Sequence, residues 1–86
     1  MRITLAIDRP QAQRLIRIAM DFFTSEEATY HDRCEIADIV DAYGQSCDAF
    51  TRGYIVGSID KWMEDPERDK RLDQELATIK NKINYA

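Results

Sequence analysis

Residues 8–23 constrain the fold more than any other stretch of the chain. Asp8 stands where a helix N-cap would, and Pro10 follows in the first turn, where its missing N–H leaves no bond unmade. Leu15, Ile16, Ile18, Ala19, Met20, Phe22 and Phe23 then crowd most of the circumference of a helix over residues 9–23. Gln11, Gln13, Arg14, Arg17 and Asp21 take the remainder. A surface helix shows a single apolar stripe, whereas an arc this wide needs cover on several sides. The spacing therefore predicts that residues 9–23 form the centre of a helical core. With 86 residues there is chain for one such core and not for a second, so 1–86 reads as a single domain.

The stretch ahead of Asp8 has a different period. Arg2-Ile3-Thr4-Leu5-Ala6-Ile7 alternates, with Ile3, Leu5 and Ile7 on one side, as a half-buried strand does. A lone strand cannot satisfy its own backbone groups. It needs residues 53–57, the same segment of a second copy, or a strand edge on another protein.

Helical spacing returns further along. Thr24-Ser25-Glu26-Glu27 carries a capping signal for a short turn or loop through His31. From Asp32 to Tyr43 the residues Ile36, Ile39, Val40 and Tyr43 fall at i, i+3, i+4 and i+7, which predicts a helix with all four in the core and Gly44 as its stop. Residues 46–64 read as a third helix capped by Ser46, with Phe50, Tyr54, Ile55, Ile59, Trp62 and Met63 as its apolar side chains. Ala49, Gly53 and Gly57 line up four apart and are expected to admit a neighbouring helix at close range. The run Gly53-Tyr54-Ile55-Val56-Gly57 also has a strand alternative, since each glycine costs a helix about 1 kcal/mol relative to alanine. Asp65-Pro66 marks the start of a fourth helix to about Asn84. Its seam of Leu72, Leu76, Ile79 and Ile83 is shorter than the roughly three or four heptads a free coiled coil wants, so it is expected to pack on the chain's own bundle, with a dimer seam as the alternative. The fold class is mainly α, a compact bundle of three to four helices with a short N-terminal β-strand.

Chemistry-bearing motifs are scarce. His31 is the single histidine, and its neighbours Cys34 and Asp32 lie in a region with no glycine-rich oxyanion turn. Cys34 and Cys47 have no zinc spacing, and Gly44, Gly53 and Gly57 fit neither nucleotide fingerprint. The expectation is a non-enzymatic chain with no cofactor and no metal. Two cysteines are too few for a disulfide scaffold, which points to a reducing, cytoplasmic setting. No apolar run approaches the roughly 20 residues of a membrane span. Arg2 is followed by only five weakly apolar residues before Asp8 and Arg9, which is no secretory signal.

Charge is the informative feature. The formal net charge is −4, but residues 24–51 hold Glu26, Glu27, Asp32, Glu35, Asp38, Asp41 and Asp48 against Arg33 alone. Residues 1–23 are net positive, and the rest of the chain is balanced. Glu35, Asp38 and Asp41 step by three along the second helix, so they share one outward face. Successive carboxylates one turn apart lie about 5 Å from each other along the axis, similar in order to phosphates along a duplex. The seven acids are the candidate partner-binding residues. They suit a basic surface on a protein partner, with direct nucleic-acid binding disfavoured and no membrane contact expected, though an acidic surface also serves solubility alone. By size and kind such a chain fits a phage or plasmid inhibitor of a nucleic-acid-binding defence complex, of the anti-restriction or anti-CRISPR sort.

A different class of reading comes from the first segments. The order Arg2-Ile3-Thr4-Leu5-Ala6-Ile7-Asp8 and then a helix resembles the opening of a ribbon-helix-helix repressor or antitoxin. That resemblance covers residues 2–23 and implies a homodimeric DNA-binding regulator. In it Arg2, Thr4 and Ala6 face the bases while Ile3, Leu5 and Ile7 enter the dimer core. Ala6 offers a base edge no hydrogen bond, the second helix is acidic where phosphate would approach, and two further helices are left over. A third reading is an adaptor that makes contact through exposed aromatics such as Tyr30, Tyr43, Trp62 or Tyr85, although Trp62 and Tyr43 are assigned to core packing.

Overall fold

The computed structural model describes residues 8–84 and contains four α-helices, α1 (Arg9–Phe23), α2 (Tyr30–Tyr43), α3 (Ala49–Glu64) and α4 (Asp73–Asn84), with short 3₁₀ turns at Gly44–Ser46 and Lys70–Leu72. The strand expected over residues 2–7 lies outside the described residues, among which there is no strand. The strand alternative for residues 53–57 is overturned, because that segment is the middle of α3.

Local chemistry sets each helix end. Asp8 caps α1 through a reciprocal box: its carboxylate accepts the Gln11 N–H at 2.9 Å while the Gln11 side chain accepts the Asp8 N–H at 3.3 Å. Thr29 and Asp32 build the same box on α2 at 3.1 and 3.0 Å, so that helix starts at Tyr30, ahead of the Asp32 expected from spacing. The cap of α3 is Asp48 and not Ser46, since Ser46 is spent in the 3₁₀ turn and donates its hydroxyl to the Tyr43 carbonyl. Asp65-Pro66 ends α3 without starting α4. The Asp65 carboxylate accepts the Glu67 N–H in a tight turn, Asp69 then caps the second 3₁₀ turn, and α4 begins only at Asp73.

α1 and α4 each pack on both α2 and α3, which places the four helices around one shared core. The body measures 39 × 29 × 19 Å, and its thinnest dimension is that of two helix layers, so every helix keeps a face toward solvent. The core unites Ile16, Met20 and Phe23 of α1, Ile36, Ala37 and Val40 of α2, Ile55, Ile59 and Trp62 of α3, and the seam Leu72, Leu76, Ile79 and Ile83. Phe23 meets Trp62 edge to face, with ring centroids 5.1 Å apart. The α4 seam is thus consumed inside the bundle, as the spacing predicts.

Three expectations fail here. Half of the apolar arc of α1 is outside the core: Leu15, Ile18 and Phe22 are 52%, 54% and 39% exposed. On α2 the i, i+3, i+4, i+7 set splits, with Ile36 and Val40 buried but Ile39 and Tyr43 left in solvent. The physical reason is that each of these helices is flanked on two sides only. Finally, no helix among the described residues approaches Gly53 or Gly57 of the small-residue stripe. A methyl group added at Gly53 or Gly57 would meet nothing within 4 Å, whereas one at Gly44 would come within 2.9 Å of Ile83 Cδ1.

Candidate interaction surface

The seven carboxylates singled out by sequence fall in different local settings. Asp32 and Asp48 are committed to helix caps. Bonds from the Thr29 backbone and hydroxyl hold the Asp32 carboxyl below the usual range. Asp48 accepts the Thr51 N–H at 2.8 Å and is likewise acidified by its bonds to Thr51, with the charges of Arg17 and Arg9 adding to the effect. Around it Arg17 donates to the buried Thr51 hydroxyl at 2.9 Å, and Arg9 donates to the Ser46 carbonyl at 2.8 Å. Asp48 thus stands as an exposed capping carboxylate with two positive charges of the first helix nearby. Glu26 and Glu27 stand exposed in the turn between α1 and α2, away from the α2 face.

Glu35, Asp38 and Asp41 remain together. Steps of three rotate by about 60° on a helix, and all three side chains are exposed. Each end of the row has a nitrogen partner: His31 Nε2 lies 3.0 Å from Glu35, and the Lys82 ammonium lies 2.7 Å from Asp41. Asp38, in the middle, meets another acid. Glu75 of α4 is half-buried beside it. Burial raises the Glu75 pKa, and the charge of Asp38, a hydrogen bond with Asp38 and the charge of Asp41 push it further up. Sequence reasoning missed Glu75, because no local pattern links it to α2 across the fold.

A hollow lies elsewhere, at the end of the bundle. It has a volume of about 450 Å³ and is lined by Glu26, Arg33, Lys61, Trp62, Asp65 and Arg68 among others. Its charges are largely spoken for. Arg33 donates to the carbonyls of Phe23 and Ser25 at 2.9 and 2.8 Å and stacks over the Trp62 ring at 4.6 Å. Arg68 forms a two-pronged pair with Asp73. The Trp62 indole N–H and Arg52 Nε are buried with no acceptor in reach among the described residues.

The two thiols have different settings. Cys47 is buried, and desolvation with the nearby Asp48 charge pushes its pKa up. Cys34 is half-buried one turn after Tyr30, and its proximity raises the Tyr30 pKa. His31 turns to Glu35. Among the described residues no group of three or more His, Cys, Asp or Glu side chains is placed to hold a metal ion, and no helix is long and apolar enough to cross a membrane. Comparison with protein-family models, with curated proteins and with solved structures finds no match to this chain.

Proposed function

We propose that this chain is a binding protein whose carboxylate face, formed by Glu35, Asp38 and Asp41 of α2 with Glu75 of α4, occupies a basic surface of a macromolecular partner. The observation that supports the reading is the convergence of Asp38, Asp41 and Glu75. Three acids lie close together, with Lys82 the cation paired to them among the described residues, and the Glu75 pKa is raised first by burial and then by the charges of Asp38 and Asp41. Like charges at this range destabilise a fold, and a cationic partner relieves them. The finer proposal is that the partner is a protein that uses the same basic surface to hold nucleic acid, as a restriction or CRISPR complex does.

The test is charge reversal. Glu35→Lys, Asp38→Lys and Asp41→Lys are combined, and purified protein of each kind captures partners from a lysate of the host cell. The wild type is expected to retain a basic protein that elutes between about 0.1 and 0.5 M salt, as screening shortens the reach of the charges. The triple variant is expected to retain none. Capture of the same partner by both would refute the reading. The ribbon-helix-helix alternative places its base contacts on Arg2, Thr4 and Ala6, outside the described residues. Direct binding of the pure chain to duplex DNA, weakening steeply with salt, would favour it instead.

A further inference from the structure

We draw no further inference here: the strongest candidate, the hollow of about 450 Å³ at the end of the bundle beside Trp62, is lined by acids and cations together and so selects no class of ligand, and the unpartnered Trp62 indole N–H has no surface open to it.

Discussion

Alanine at Gly53 and Gly57 is expected to stabilise this protein, while the same change at Gly44 destabilises it. All three glycines have ordinary negative φ, so backbone strain does not separate them. Gly53 and Gly57 lie in the interior of α3 and face open space. Alanine there restricts the unfolded chain and costs the folded one nothing, a gain of about 0.5–1 kcal/mol at each site. The double variant should gain about 1–2 kcal/mol, which for a domain of this size raises Tm by roughly 5–15 °C. At Gly44 the new methyl meets Ile83 Cδ1 at 2.9 Å, Ile83 Cγ1 at 3.4 Å and Val40 Cγ1 at 3.5 Å, in the packed junction of α2 and α4. Forced displacement in a core costs about 1–3 kcal/mol, which outweighs the entropic gain and leaves a net loss. Thermal melts with urea titrations of the three single variants decide the matter. A lower Tm for Gly53→Ala or Gly57→Ala would refute the reasoning, because it would mean that the stripe is covered in solution.

Other substitutions test other parts of the structure. Arg33→Lys keeps the charge but loses the fork that reaches Phe23 and Ser25 together, and should cost about 1–3 kcal/mol in a denaturant melt. Thr29→Ala removes the cap of α2 and should cost about 1 kcal/mol by the same measurement. The raised pKa of Glu75 means that its charged form is disfavoured in the fold, so its contribution improves as pH falls through that pKa and worsens as pH rises past it. Glu75→Gln should therefore melt above the wild type at pH 7, with the gap closing toward pH 4; a constant gap would disprove the assignment. The lowered carboxyls of Asp32, Asp48, Asp69 and Asp73 act in the opposite sense, since their contribution is lost as pH drops below the ordinary carboxyl range.

What the chain discloses before folding follows the range of the interactions involved. The start of α1 is legible because Asp8 and Pro10 act within one turn, and the row of Glu35, Asp38 and Asp41 is legible because helix rotation alone aligns it. The boundaries at Ser46 and Asp65 mislead for a different reason. Each residue has the right side chain for a cap but uses it in a tighter turn one step away, and the choice between them rests on a few hydrogen bonds. Periodicity identifies the apolar sides of α1 and α2 without revealing which part a neighbour covers, hence the misplacing of Leu15, Ile18, Phe22, Ile39 and Tyr43. Glu75 joins Asp38 only through the packing of α4 on α2, a tertiary fact with no trace in local spacing.

The placement of Trp62 has a practical consequence. It is the sole tryptophan, held between the Phe23 ring and the Arg33 guanidinium at one end of the bundle. Its emission is therefore an intrinsic optical gauge of whether that end is closed. Ligands that settle on the α2 acids should leave the spectrum quiet, while anything that pries apart the α1 terminus will shift it toward the red.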